Sequence, residues 1–352
     1  MKSILKWPGG KERELPVIKQ YMPPFTGRYV EPFVGGGALF FDLEGHDCYL
    51  NDKSNELINL YRCVQKQDED FRQFLQKAYD EFQSLGGFVA THSTEVLALY
   101  LGQVELENFL ARHQAYFTAL AQKSNGVLGK ELRRNLKGKI QRSAKLEQAK
   151  GALPDEDRLA NMESALKSAY YMYMRYLYNH AQDASAGVQA ALFFFIREYC
   201  YSSMFRYNAK GEFNVPYGGI SYNNKDFQKK IDYLFSAPLK QKLHAASFQA
   251  EDFEIFMEQL HLTTDDFVFL DPPYDSDFST YAKNQFGHAE QARLCACLKK
   301  TQAKCLLIIK NTDFIYDLYK ENFRIRSFDN RYRVSFMNRN DKETKHLIIT
   351  NY

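Results

Sequence analysis

Runs of apolar residues in the last third of the chain predict buried β-strands. Residues 267–270 read FVFL, residues 306–309 read LLII, and residues 347–349 read LII. Continuous apolar runs of this length are typical of strands in a sheet that is covered on both faces. Residues 241–352 are therefore expected to be α/β structure.

The first part of the chain has a strand, turn, helix, strand pattern. Residues 28–33 (RYVEPF) predict a short strand, glycines follow it, and residues 38–41 (ALFF) suit the start of a helix. Residues 48–52 (CYLND) predict a second strand that ends in polar residues, and helical spacing resumes at residue 55. This order is the βαβ pattern of an open parallel sheet.

Residues 61–240 show apolar positions at three- and four-residue intervals, which predict helices. The expected fold is therefore one discontinuous α/β domain of residues 1–60 and 241–352, with 61–240 inserted as a mostly helical domain. Within the insertion, residues 123–150 hold nine Lys or Arg and two Glu, a net charge of +7 (9 − 2). This stretch is either a solvated helix face or a phosphate-binding surface.

Composition describes an ordinary globular protein. The chain has 352 residues, of which 45% are hydrophobic and 25% charged, and its formal net charge is +3. No apolar run reaches the roughly 18 residues needed to cross a bilayer, and no apolar signal segment follows the first charges. The six Cys contain no C-x-x-C pair, which disfavours a zinc site and a disulfide framework. We therefore expect a cytosolic protein without a metal and without a membrane contact.

A glycine-rich loop, residues 31–37 (EPFVGGG), follows the first predicted strand. Glycines let the chain turn tightly and approach a ligand closely. Asp52 lies 17 residues after Gly35, at the end of the next predicted strand. Because dinucleotide-binding folds place a ribose-binding acid about 20 residues after the loop, the pair indicates a nucleoside cofactor. The glycines alone are equally consistent with a structural turn.

Residues 7–11 (WPGGK) hold the only Trp of the chain, beside a flexible turn and Lys11. No Ser or Thr follows Lys11, no strand precedes the motif, and the leading Gly is missing, so a nucleotide triphosphatase is poorly supported. Trp7 suits either an aromatic contact with a ligand or a core position near a loop.

Residues 271–274 (DPPY) directly follow the apolar run 267–270. The prolines end the strand and stiffen the turn. The Asp271 carboxylate and the Pro272 carbonyl can each accept one N–H of an exocyclic amine, and Tyr274 can stack on the base. A plain turn is the alternative, but four consecutive residues suited to one base favour a catalytic site.

In their order and spacing these motifs resemble those of Dam-type DNA adenine-N6 methyltransferases, the alpha group of the D12 class. The resemblance implies a Rossmann-like sheet that binds S-adenosylmethionine, and an inserted target-recognition domain. It also implies site-specific methyl transfer to the N6 amine of a flipped-out adenine in double-stranded DNA. The motifs that carry it are residues 5–11 (LKWPGGK), 30–37 (VEPFVGGG), 51–52 (ND), 271–274 (DPPY) and the DNA-contacting segment 205–208 (FRYN) with 211–218 (GEFNVPYG).

The resemblance further implies roles for single residues. Asp271 matches the catalytic acid, with Pro272 and Tyr274 beside it. The residues that match cofactor contacts are Trp7, Lys11, Glu31, Phe33, Gly35, Gly37, Asp52 and Asp271 itself. The residues that match DNA contacts are Arg206, Asn208, Lys210 and Pro216. Arg is suited to read guanine O6 and N7, whereas Lys210 suits a phosphate.

Two departures from the family pattern concern the DNA target. The helical middle is longer than in a compact member and contains the basic stretch 123–150. Residues 201–205 (YSSMF) stand where GATC-type relatives have an Asn-Gly-Leu-Cys run. We therefore expect a recognition site other than GATC and a restriction-modification methyltransferase with a cognate restriction endonuclease as partner. Such an enzyme would act in the bacterial cytosol as a monomer or weak dimer.

Three other functions are alternatives. A cytosine-N4 methyltransferase uses the same chemistry, but Asp rather than Ser at position 271 favours adenine. A protein-glutamine methyltransferase would have Asn at this position and a catalytic motif much nearer the glycine loop than the 236 positions (271 − 35) found in this chain. A non-catalytic DNA-binding module would need neither the glycine loop nor Asp271.

Overall fold

The computed structural model describes residues 1–121, 125–274, 286–330 and 344–352. Lys123 of the basic stretch lies outside the described residues. The chain divides into two compact units, of which one combines Met1–Lys66 with Ser236–Tyr352 and the other is Gln67–Phe235. The boundaries thus fall at residues 66 and 236, where the sequence predicts 60 and 241.

A mostly parallel sheet forms the centre of the first unit. The described strands are β1 (Tyr29–Glu31), β2 (Cys48–Asn51), β3 (Ala246–Gln249), β4 (Phe267–Leu270), β5 (Lys304–Lys310), β6 (Arg324–Asn330) and β7 (Thr344–Thr350). Their spatial order is β3-β2-β1-β4-β5-β7-β6. Strands β1 to β5 pair in parallel, and β7 is antiparallel to both of its neighbours. The predicted α/β fold class is confirmed.

Both units contain helices, and those of the first unit lie before and after those of the second in the sequence. The first unit begins with α1 (Leu15–Tyr21), α2 (Ala38–Asp42) and α3 (Asn55–Lys66). The second unit holds α4 (Glu69–Thr91), α5 (Ser93–Tyr100), α6 (Leu106–Arg112), α7 (Gln114–Ala119), α8 (Asn125–Lys150), α9 (Asp155–Asn179), α10 (Ala186–Tyr199) and α11 (Gln228–Leu234). The first unit then continues with α12 (Ala237–His244), α13 (Phe253–Gln259), α14 (His288–Lys300) and α15 (Asp313–Tyr319).

The apolar runs of the sequence become the inner strands of the sheet. All four residues of β4 are buried, as are five of the seven residues of β5. The sequence analysis missed β3 (ASFQ) and β6 (RIRSFDN), which form the two edges of the sheet. Edge strands lack a neighbour on one side and mix polar with apolar residues, so they have no continuous apolar run to reveal them.

The order of the strands reverses at β1, because β2 and β3 lie on one side of it and β4 on the other. Open α/β sheets bind their ligands at such a reversal, in the crevice outside the carboxyl ends of the strands. The glycine loop directly follows β1, Asp52 directly follows β2, and Asp271 directly follows β4. The topology therefore brings three predicted site elements together at the carboxyl ends of the strands. We call this side of the sheet the edge that holds the site.

Aromatic side chains form much of the core of the second unit. Phe82 of α4 has its ring centroid 4.4 Å from Tyr199 and 5.8 Å from Phe195, both on α10. Tyr170 of α9 lies 6.3 Å from the same Phe82 ring and donates a hydrogen bond to Glu81 Oε2. In the described part of the chain, no helix is both long and apolar enough to cross a membrane.

Candidate functional site

The glycine loop after β1 requires glycine at two positions. Gly35 and Gly37 have φ angles of +45° and +65°, in the left-handed region that favours glycine. A Cβ at Gly35 would lie 2.7 Å from the Trp7 Cδ1 atom, and one at Gly37 would lie 3.1 Å from the Tyr61 hydroxyl. The Trp7 indole therefore rests directly on the loop, and it remains partly exposed.

Asp52 holds the glycine loop in place. Its Oδ2 accepts a hydrogen bond from the Gly35 N–H at 3.0 Å, and its Oδ1 accepts one from the Ser54 N–H at 2.9 Å. Burial raises the pKa of Asp52 to about 6, although both backbone hydrogen bonds oppose that shift. A carboxylate has about four lone-pair positions, so Asp52 can still accept hydrogen bonds from ribose hydroxyls.

Asn51, which the sequence analysis names in the motif 51–52 without a role of its own, is a structural residue of this edge. Its Nδ2 donates to the carbonyls of Pro32 and Glu251, both at 3.0 Å, and its Oδ1 accepts from the Glu251 N–H at 2.9 Å. The side chain is buried and thus ties together the segments that follow β1 and β3. A polar residue at the end of an apolar strand, beside Asp52, was the available signal.

Glu31 is buried at the end of β1 and accepts a hydrogen bond from the Tyr29 hydroxyl at 2.8 Å. Burial raises the pKa of Glu31 well above its ordinary value. The Tyr29 hydrogen bond opposes the shift, while the charges of Asp271 and Asp52 add to it. The charges of Asp52 and Asp271 therefore disfavour the ionised form of Glu31.

An ion pair joins Asp271 to Lys11, which lies 260 residues earlier in the chain. The Lys11 Nζ is 2.6 Å from Asp271 Oδ1 and 2.7 Å from Oδ2, and it also donates to the Gly9 carbonyl at 2.7 Å. The Lys11 side chain is 2% exposed and that of Asp271 is 19% exposed. Burial raises the pKa of Asp271, and Lys11 opposes that rise. The sequence analysis assigned Lys11 to the cofactor and missed this pair.

Buried residues support the turn after Asp271. The Tyr274 ring centroid lies 5.2 Å from the Lys11 Nζ and 5.5 Å from the imidazole of His346. Burial, aided by the charge of Lys11, lowers the pKa of His346 to about 4, so this imidazole is neutral at pH 7. The Pro273 carbonyl accepts a hydrogen bond from the buried Gln291 Nε2 at 3.3 Å.

Two further predicted residues are mainly packing residues in the structure. Phe33 is partly buried, and its ring centroid lies 5.5 Å from those of Phe253 and Phe286. Pro272 is buried directly after β4. Both belong to the edge of the sheet that holds Asp271.

The predicted DNA-contacting segment lies in the second unit and folds back on itself. Antiparallel bridges pair Cys200 with Tyr217 and Tyr207 with Phe213. Arg206 is exposed, its Nε donates to Asn214 Oδ1 at 2.8 Å, and its Nη2 donates to the Asn214 carbonyl at 3.3 Å. The guanidinium is thus fixed by one neighbouring residue.

Asn208 shapes the turn of this segment. Its Oδ1 accepts from the N–H groups of Lys210 and Glu212 at 2.9 and 3.0 Å, and its Nδ2 donates to Glu212 Oε2 at 2.8 Å. The Asn208 amide is therefore engaged within the turn, whereas Lys210 is exposed. Pro216 is also exposed, and its carbonyl accepts from the Tyr201 N–H at 2.8 Å.

Comparison with known proteins decides the family. The sequence profile of the D12 class N6 adenine-specific DNA methyltransferases matches residues 7–157 and 143–334. The chain belongs to this family. The predicted family and the predicted enzyme class, an adenine-specific DNA methyltransferase, are therefore confirmed.

Three relatives of this D12 class enzyme are named type II methyltransferases or DNA adenine methylases. It is 26% identical over 357 residues to the type II methyltransferase M.CviBI of Paramecium bursaria Chlorella virus NC1A, covering 100% of both chains. It is 26% identical over 344 residues to the type II methyltransferase M.MjaIII of Methanocaldococcus jannaschii, covering 93% of this chain and 90% of that one. The DNA adenine methylase of Salmonella typhi is 24% identical over 298 residues, which cover 83% of this chain and 74% of the relative.

Replacement of Lys11 by Gln should raise the pKa of Asp271 further, because a partly buried carboxylate loses its opposite charge. The acid limb of the pH profile of kcat/KM for adenine methylation should then move upward by about 1 to 3 pH units. Lys11→Arg retains the charge and should shift the limb less. An acid limb that coincides in the wild type and Lys11→Gln would show that the ion pair does not control the titrating group.

Proposed function

We propose that this enzyme transfers the methyl group of S-adenosylmethionine to the N6 amine of a flipped-out adenine within a specific sequence of double-stranded DNA. The observation that carries the proposal is the position of Asp271. This partly exposed carboxylate directly follows β4, the neighbour of β1 at the strand reversal. It is held by Lys11 and shares one edge of the sheet with Asp52 and the glycine loop.

The charges at this edge fit a cationic nucleoside cofactor. Glu31, Asp52 and Asp271 each have a pKa raised mainly by burial, so a cation bound nearby would stabilise their ionised forms. S-adenosylmethionine, when bound, supplies a methyl group on a positively charged sulfonium leaving group. We assign its ribose hydroxyls to Asp52. The remaining proposed contacts are Trp7, Lys11, Glu31, Phe33, Gly35, Gly37 and Asp271.

The turn at residues 271–274 suits the activation of an amine. The lone pair of the adenine amine is delocalised into the ring, which makes the nitrogen a poor nucleophile. The Asp271 carboxylate and the Pro272 carbonyl would each accept one N–H and favour a more tetrahedral nitrogen as positive charge develops. Tyr274 would stack on the base and hold it in line with the methyl group, which removes much of the entropic barrier.

The unit Gln67–Phe235 is proposed as the target-recognition domain. Arg206 uses two of its five N–H donors on Asn214, so three remain for the O6 and N7 acceptors of a guanine. Lys210 is exposed and would contact a phosphate. In this proposal Pro216 contacts DNA directly. Asn208 contributes chiefly by shaping the turn that carries Lys210.

A restriction-modification role is part of the proposal. Two of the three relatives described above, M.CviBI and M.MjaIII, are named type II methyltransferases, and their alignments cover nine tenths or more of each chain. We therefore propose a recognition site other than GATC, a cognate restriction endonuclease as partner, and action in the bacterial cytosol. The active species would be a monomer or a weak dimer.

The decisive experiment incubates the purified chain with S-adenosylmethionine and unmethylated genomic DNA, then maps modified bases at single-nucleotide resolution. We expect N6-methyladenine in one sequence context. Asp271→Ala should abolish methylation and leave DNA affinity largely intact, because the carboxylate acts on the amine and not on the duplex. Asp265→Ala, at an exposed acid just before β4, is the matched control and should retain activity. Methylation by Asp271→Ala would contradict the catalytic assignment.

Cofactor affinity should depend on the ionisation of Asp52. Its pKa is raised to about 6, so the carboxylate is ionised at pH 7.5 and increasingly protonated below pH 6. Binding of S-adenosylmethionine, followed by calorimetry from pH 5 to 8, should weaken as the pH falls through 6. In Asp52→Asn the affinity should be lower and this pH dependence should largely disappear. The same pH midpoint in both proteins would assign the titration to another group.

Arg206→Ala should relax discrimination at one base pair by about 1 to 3 kcal/mol, since a bidentate contact with guanine is lost. Lys210→Ala is the contrasting variant and should weaken binding by the same factor on every sequence. Both effects are read from binding competition between duplexes that differ at single positions. A uniform loss in Arg206→Ala would make Arg206 a phosphate contact instead.

A further inference from the structure

Helix α8 buries one row of leucines. Leu128, Leu132 and Leu136 recur every four residues and are buried. Most of the Lys and Arg residues of the helix are exposed instead. The helix carries eight basic and two acidic residues, a net charge of +6 (8 − 2). Its 26 residues span roughly 39 Å at about 1.5 Å per residue.

The acidic residues near α8 neutralise only some of these charges. Arg133 Nε lies 2.9 Å from Glu107 Oε1, and Arg134 Nη1 lies 3.3 Å from Glu131 Oε1. Glu147 is engaged elsewhere, because its Oε1 accepts hydrogen bonds from the Leu153 N–H and from the Arg158 guanidinium.

Three lysines on one face of α8 have no such partner. Within the described residues, Lys130, Lys137 and Lys145 form neither an ion pair nor a side-chain hydrogen bond, and all three are exposed. At 100° per residue they lie within about 80° of one another around the helix axis. We call these three residues the lysine stripe. An ordinary solvated helix face mixes charges of both signs, whereas the lysine stripe has one sign only.

We propose that the lysine stripe binds the phosphate backbone of DNA without reading its sequence, an inference that rests on the proposed function. Lys130 and Lys145 are separated by 15 residues, or roughly 22 Å along the helix. Duplex DNA carries about one phosphate charge per 1.7 Å of axis when both strands are counted, so a duplex segment of this length holds roughly 13 phosphates. The lysine ammonium is a compact charge on a flexible stem, which suits phosphates better than base edges.

The test compares two triple variants of the full chain. Lys130→Gln, Lys137→Gln and Lys145→Gln together remove the lysine stripe. Lys240→Gln, Lys299→Gln and Lys300→Gln together form the control, since these lysines are also exposed but lie on α12 and α14. Each variant takes the formal net charge from +3 to zero (3 − 3), so the two differ only in where the charge is lost. Unchanged thermal unfolding confirms that both fold.

DNA affinity is measured between 50 and 200 mM salt on duplexes with and without the recognition site. Each lost phosphate contact should reduce the slope of log affinity against log salt by about 0.9, or roughly 2.7 for three contacts. Over this range the affinity of the wild type should then fall roughly 40-fold more than that of the stripe variant. The slope of the stripe variant should be reduced equally on both duplexes, and the control should keep the wild-type slope.

Methylation by the wild type separates the two proposals. If the wild type methylates DNA but the stripe variant and the control have equal salt slopes, only the lysine stripe inference is overturned. If the wild type neither binds nor methylates DNA, the proposed function fails and this inference with it. A slope reduced in the stripe variant alone supports the inference.

Discussion

The ion pair between Lys11 and Asp271 is the interaction on which the candidate site depends. Placing a carboxylate where water is largely excluded is unfavourable unless an opposite charge compensates it. Lys11 supplies that charge from the other end of the sequence, and its contact with the Gly9 carbonyl fixes the turn that carries it. The same turn lays Trp7 against Gly35. This ion pair therefore joins the N-terminal segment, the glycine loop and the turn after β4.

The pair leaves the site with an excess of acids. Glu31 and Asp52 share the edge with Asp271, and the charges of Asp52 and Asp271 both raise the pKa of Glu31. The fold tolerates this arrangement because Asp52 accepts two backbone hydrogen bonds and Glu31 accepts one from Tyr29. Three carboxyls whose pKa values are raised mainly by burial lie at the strand reversal, so a cation bound there would stabilise their ionised forms. Electrostatics at this edge thus favours a positively charged ligand.

The sequence predicted the parts of the fold whose signals are local. Apolar runs identified β4, β5 and β7, and the positions of the glycines and of residues 271–274 followed from the strands that precede them. Contacts between distant residues had no such signal. Nothing in the local sequence pairs Lys11 with Asp271, ties Asn51 to Glu251, or shows that the Asn208 amide is engaged within its own turn. The edge strands β3 and β6 escaped notice because polar residues interrupt their apolar pattern.

Recognition of a DNA sequence and attraction to DNA make opposite demands on a side chain. A residue that reads a base edge must hold its donors in one geometry, and Arg206 is held by two hydrogen bonds to Asn214 on a segment braced by the Asn208 turn. A residue that binds phosphates needs only charge and reach, because the backbone presents the same target at every step. The three lysines of the stripe on α8, which have no ion pair with any described residue, meet that second demand. If both proposals hold, the helical unit contains the two kinds of residue on separate elements, and specificity and affinity can vary independently.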